Sequence, residues 1–212
     1  MAINYTIQAD IVDITSDTPK AEDVFLVDTN VWYWITYTRA SQSTRPPLAY
    51  QTTSYPAYYN SALAADSKIL QSGLSLAELA HLIEKTEYEI FAGANLTYFR
   101  DPNRFDKRYR HSFPVERSRV VAEIKAAWRL VKEHAALPIT IDAQATEATL
   151  NRLQTEKVDG YDLFILESMK SHGLSQVITD DGDFASVPDI QVFTANQNVI
   201  TTARSQGKLL TR

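Results

Sequence analysis

The sequence predicts an α/β protein, a three-layer α/β/α sandwich around a mainly parallel central sheet. Two observations carry that prediction. The second half of the 212-residue chain alternates short apolar runs with amphipathic helical stretches. The first half holds one short apolar run, "VFLV" at 24–27, which stops on "DTN" and passes at once into an aromatic, helical stretch. A buried strand that ends on a carboxylate and two small polar groups puts costly side chains beside a core. Such an ending serves either as a helix cap or as part of a site.

Taken in order, residues 3–13, "INYTIQADIVD", partly alternate and predict an edge strand. The loop "TSDTPKAED" leads to the buried strand at 24–28, and a helix follows near 31–38. The stretch "TRASQSTRPPLAYQTTSYPAYYN" is rich in Ser, Thr, Pro and Tyr and predicts a long loop of the kind used as a lid, binding loop or insertion. Helices are expected over 60–71 and 75–93, broken at Gly73. Segment 100–119 reads as a charged loop that runs into a helix near 114–135, where Val120, Val121, Ile124, Trp128 and Val131 form an apolar stripe. "LPITID" predicts a strand, 143–156 a helix, and 160–172 a helix closed by Gly173. Strands at 176–181 and 191–195 complete the series.

Composition narrows the chemistry. The formal charge is −5, so contact with nucleic acid requires a local basic patch rather than bulk charge. There is no cysteine, which removes disulfides, thiolate zinc sites and cysteine nucleophiles together and fits a reducing cytoplasm. The first residues carry no basic-then-apolar leader pattern, and no run approaches the ~20 apolar residues of a membrane span. A cytoplasmic protein without membrane association is the expectation.

Acids recur in comparable places. Asp28 ends the first buried strand, "VITDDGDF" ends a later one with Asp180, Asp181 and Asp183, and "DGYD" opens a helix with Asp159 and Asp162. In open parallel sheets, sites form beyond the carboxyl ends of the strands, where these carboxylates would meet. Like charges repel unless a cation compensates them, and an all-oxygen set suits Mg²⁺ or Mn²⁺ rather than zinc. Glu78 has two readings: a capping box with Ser75, or a fourth acid of the same site. Asp28 is equally a favoured N-cap, Asp162 a first-turn acid, and "DDGD" a turn. The shared placement is what favours a site.

"FLVDTNVWYW", "SLAELAHLIEK" and "DGYDLFILESMKSHGLSQVITDDGDF", in that order, resemble a PIN-domain nuclease, closest to the VapC-type toxin ribonucleases of toxin–antitoxin modules. The resemblance covers roughly 24–37, 74–92 and 137–195. It implies one PIN-like domain over 1–212, with an N-terminal extension at 1–22 and insertions at 38–59 and 95–119. Carried over by position, it implies Asp28, Glu78, Asp162 and Asp181 as catalytic and metal-binding residues, with Thr29, Asn30 and Thr179 as polar supports. Asp183 reads as a turn residue that could replace Asp181 as ligand. Implied with these are Mg²⁺ or Mn²⁺, an RNA substrate cut by phosphodiester hydrolysis, and an antitoxin partner.

Arg100, Arg104, Lys107, Arg108 and Arg110, interleaved with Phe105, Tyr109 and Phe113, have the composition of a single-stranded RNA groove, and equally that of a solvated charged face. His81 reads as structural on an apolar helix. "YQTTSYPAYY" reads as packing or as a contact in a homo-oligomer, a dimer being expected. The rival reading is a non-catalytic PIN-like module that binds RNA or protein; the repelling acids argue against it. A phosphotransferase using Asp28 as nucleophile would want an acid two positions on, where this chain has Asn30.

Overall fold

The computed structural model describes residues 5–96, 99, 101, 104–136 and 142–212. Its elements run β1 (Asp10–Asp13), β2 (Val24–Val27), α1 (Thr29–Thr36), α2 (Ala49–Ala64), β3 (Lys68–Leu70), α3 (Ser75–Ala94), α4 (Lys107–Ser112) and α5 (Pro114–His134). They continue with α6 (Ala143–Arg152), α7 (Gly160–Ser171), β4 (Gln176–Ile178), β5 (Gln191–Thr194), α8 (Gln197–Ser205) and β6 (Leu209–Leu210). Among the described residues every strand pairing is parallel, in the order β3-β2-β4-β5-β1-β6.

Alternation along the strands divides the core into two layers. Val12, Phe25, Val27, Ile178 and Phe193 face α1, α2, α3 and α5, whereas Ile11, Leu26, Val177 and Val192 face α7 and α8. Phe25 and Phe193 meet edge-on at 4.8 Å across the sheet face. Full burial of a ring such as Phe25 contributes roughly 1.5–3 kcal/mol. This is the three-layer sandwich expected from the sequence.

Several elements differ from expectation. The first strand is shorter than 3–13 and lies between β5 and β6 rather than at an edge. The expected loop at 38–59 ends in α2, despite Pro56 inside that helix. Its buried stripe is Tyr55, Tyr58, Tyr59 and Ala62, a helical period written largely in tyrosines. β3 occupies residues assigned to the next helix, because its pairing to β2 overrides a three-residue run with no periodicity of its own. α4 forms inside the charged segment, and α6 ends at Arg152 instead of 156. The helix α8 and the strand β6 were not foreseen, and the strand expected in "LPITID" falls largely on 137–141, outside the described residues.

A third, smaller cluster gathers Tyr88, Phe99, Tyr109 and Val120, with Phe91, Phe105 and Phe113 packed against it. The aromatic residues interleaved with the basic ones therefore face inward. The arginines around them are engaged as well: Arg110 forks onto Glu84, Arg117 joins Glu84 at 3.0 Å, Arg108 pairs with Asp106 and Arg119 with Glu116. Lys107 is exposed, and Arg100 lies outside the described residues.

Candidate active site

A helix that follows a parallel strand starts at the strand's carboxyl edge, so α1 and α3 begin at one edge of the sheet. α7 precedes β4 and so also has its N-terminus there. β2 leads to β3 on one side, while β4 lies on the other, so the strand order reverses between β2 and β4. In open α/β sheets a crevice at that point is the expected ligand site.

A cavity of about 270 Å³ occurs there, lined by Asp28, Asn30, Glu78, Asp159, Asp162 and Asp181 among others. Asp28 does two jobs. It is the N-cap of α1, its carboxylate accepting from Thr29 N–H at 2.6 Å, and it faces the cavity. Thr179 Oγ1 donates to the other Asp28 oxygen at 2.6 Å and accepts from Asp181 N–H at 2.9 Å. One buried hydroxyl thus ties the ends of β2 and β4 together. Thr29 Oγ1 donates to Glu78 Oε2 at 2.5 Å. Of the two readings of Glu78, the capping box with Ser75 is not formed: Ser75 is the first helical residue rather than the cap, and Glu78 turns to Thr29. The cap is not needed there because Ser75 N–H already donates to Ser72 O.

Asp159 is one of the recurring acids, to which the sequence assigns no role of its own. It caps α7, accepting from Tyr161 and Asp162 N–H, and it also lines the cavity. His81, expected to be structural, is exposed and lines the same cavity; Tyr161 on the opposite rim is 54% exposed. Asn30 Oδ1 is buried there without a hydrogen-bond partner. Asp183 does not line the cavity; its N–H donates to Asp181 Oδ1 at 2.9 Å and fixes that carboxylate.

Asp180 faces away and serves as an anchor. Its carboxylate accepts from Tyr50 and Gln51 of α2 at 3.1 and 2.6 Å, and from Tyr55 at 2.7 Å. The Tyr55 hydroxyl also accepts from Ala195 N–H. The tyrosine-rich helix therefore braces the acidic turn. Tyr5 packs on it from another side: a Cβ at Gly182 would come within 2.4 Å of the Tyr5 ring, so any larger residue there must displace that ring.

The electrostatics of the cavity are those of uncompensated charge. Burial, opposed in part by the Thr179 hydroxyl and reinforced by Glu78 and Asp181, pushes Asp28 up to about 7. Burial and the charges of Asp28, Asp159, Asp181 and Glu78 push Asp162 up to about 9. Burial likewise raises Glu78 and Asp181, each also facing Asp159. Every donor among these acids is a hard oxygen, the chemistry that suits Mg²⁺ or Mn²⁺. Among the described residues no three acidic or histidine side chains are already gathered as a cation cage.

A parallel α/β sheet with a crevice of carboxylates at its switch point places a candidate site at the strand ends. The model of the PIN domain matches residues 25–190, and the chain belongs to that family. No curated protein and no solved structure matches it. PIN domains are generally metal-dependent nucleases, and all four acids assigned from sequence fall within the matched span. No helix among the described residues is long and apolar enough to cross a membrane.

Proposed function

We propose that the protein is a divalent-metal-dependent endoribonuclease that hydrolyses RNA phosphodiester bonds, the toxin of a toxin–antitoxin module. The observation that carries the nuclease reading is the convergence of Asp28, Glu78, Asp162 and Asp181 on one cavity, with carboxyls driven toward their protonated forms by burial and by each other. Acids so arranged cost stability unless a cation joins them. The toxin assignment and its antitoxin partner rest on the motif resemblance, the cytoplasmic location on composition, and the homodimer on the tyrosine-rich stretch at 50–59.

Asp28 and Asp162 would hold Mg²⁺ or Mn²⁺ directly, and Asp181 directly or through water. A cation held there polarises the phosphate and lowers the pKa of a coordinated water. Glu78, tethered to Thr29, orients the attacking water or completes the ligand set. Thr179 holds the Asp28 carboxylate in place, and Asp183 N–H does the same for Asp181. Because Thr179 acts through Asp28, Thr179→Val is expected to lower Mn²⁺ affinity about 10–100-fold, as loss of a supporting hydrogen bond does at metal sites. Calorimetric titration beside a thermal melt separates that loss from unfolding.

The reaction itself is tested by incubating the purified protein with single-stranded RNA and Mg²⁺ or Mn²⁺. Cleavage by the wild type, suppressed by EDTA and reduced at least about a hundredfold in Asp162→Asn, is the expected result. The alternative, a non-catalytic RNA- or protein-binding module, draws on the lack of a ready cation cage among the described residues. Firm RNA binding without cleavage under either ion would select it.

A further inference from the structure

A second cavity adjoins the acidic one. Leu82 lines both the acidic cavity and a second one of about 230 Å³, whose walls include Ser43, Thr44, Arg45, Lys85 and Glu89. Glu78, Leu82, Lys85 and Glu89 are spaced four, three and four residues apart on α3, so they form one stripe along the helix. Glu78 and Lys85 are separated by about 10 Å along the axis. A single stripe therefore passes from acid to cation.

Arg45 reaches this stripe from the segment before α2, which the motif resemblance does not cover. Thr44 N–H donates to Glu89 Oε2 at 3.0 Å, and Arg45 N–H to Ser43 Oγ at 3.0 Å, so the loop is drawn onto α3. Arg45 and Lys85 are both exposed, and neither is in an ion pair among the described residues. Glu89 is buried and held by the loop, leaving two outward cations over one inward anion. In the basic segment Arg110 and Arg117 share Glu84 and Arg119 is tied to Glu116, while the exposed Arg104 and Lys107 line neither cavity.

An acidic pocket repels the phosphates of the strand it must cut, and a chain of net charge −5 offers no general attraction. Cations beside the pocket solve that problem. We infer that Arg45 and Lys85 form the subsite for the nucleic-acid backbone, holding phosphates of a single strand that runs from the acidic cavity over Leu82. This inference rests on the nuclease reading above and assigns substrate binding to Arg45 and Lys85 rather than to 100–119.

The test is anisotropy of a labelled mixed-sequence single-stranded oligoribonucleotide in EDTA, titrated over a range of KCl concentrations. Each phosphate neutralised on a single strand contributes about 0.7 to the slope of log affinity against log salt. The double variant Arg45→Ala/Lys85→Ala is expected to flatten that slope by about 1.4 and weaken binding roughly tenfold at low salt. Arg104→Ala/Lys107→Ala is expected to leave the slope as in the wild type. Unchanged Mn²⁺ binding by the first double variant establishes that its fold and acidic pocket are intact. A wild-type slope in Arg45→Ala/Lys85→Ala, with RNA still cleaved, overturns the inference and leaves the nuclease reading standing. A flattened slope in a protein that cuts no RNA supports the subsite and sinks the hydrolytic reading. A wild type that neither binds nor cuts RNA overturns both.

Discussion

Asp162→Asn, alone or with Asp28→Asn, is expected to make the metal-free protein more stable at pH 8 while abolishing its chemistry. In the folded chain Asp28 titrates at about 7 and Asp162 at about 9, against roughly 3.9 for an unfolded aspartate. Between about pH 4 and 9 the folded state therefore binds more protons than the unfolded one. Stability must fall as pH rises through that window. Removing the two charges should therefore recover stability at pH 8 and almost none at pH 4. Urea unfolding at the two pH values, in EDTA, reads this directly. Mn²⁺ should move the comparison back toward the wild type, since saturation at a hundred times the dissociation constant stabilises the wild type alone by about 2.7 kcal/mol. An Asp162→Asn protein less stable than the wild type at pH 8 would mean that the acid is structural.

Arg212→Ala is expected to be the most damaging substitution away from the site. The Arg212 guanidinium donates to Asp23 at 2.6 Å and to Asp17 at 2.7 Å, and lies 4.6 Å from the Phe193 ring centroid. All three side chains are at most 9% exposed. Asp17 also accepts from Tyr58 of α2, and Asp23 from Gln176 of β4, so one cation joins the strands to the helix layer. Alanine would leave two buried carboxylates facing each other, a loss on the order of 3–5 kcal/mol. For a chain of this length that corresponds to roughly 10 °C in Tm. Although burial raises Asp23, the Arg212 hydrogen bonds hold it below the usual carboxylate range. Its contribution is present above pH ~4 and is lost as pH falls through its lowered value, so the gap between Arg212→Ala and wild type should narrow in strong acid. Arg212→Lys keeps the charge without the fork and is expected to fall between them.

The parts legible in the sequence were those with local signatures. Phe25 and Leu26, or Val177 and Ile178, sit in runs whose burial needs no knowledge of partners, and Asp28, Asp162 and Asp181 stand at ends that any parallel sheet would bring together. What stayed hidden depends on distant partners. β3 and β6 are three and two residues long and exist because β2 and β1 pair with them. α2 was concealed because its buried face is tyrosine beside Pro56, a composition typical of loops, and only the packing of Tyr55 onto Asp180 and Thr194 shows its purpose. Glu78 illustrates the same limit. Ser75-x-x-Glu78 matches a capping box locally, yet Thr29, forty-nine residues away, claims the carboxylate.

The basic segment carries the converse lesson. A run of Arg and aromatic residues has one composition whether it meets RNA or itself, and here Glu84 on α3 and the ring of Tyr88 take up much of it. Arg45 and Lys85, isolated in the sequence, are brought beside the acidic cavity only by the fold.

The central claim is that Asp28, Glu78, Asp162 and Asp181 form one cation site, and Mn²⁺ calorimetry on the wild type and on Asp28→Asn/Asp162→Asn tests it most directly. Saturable Mn²⁺ binding by the wild type that disappears in the folded double variant is the predicted result. A folded wild type that takes up no Mn²⁺, or a double variant that binds it equally well, would contradict the account.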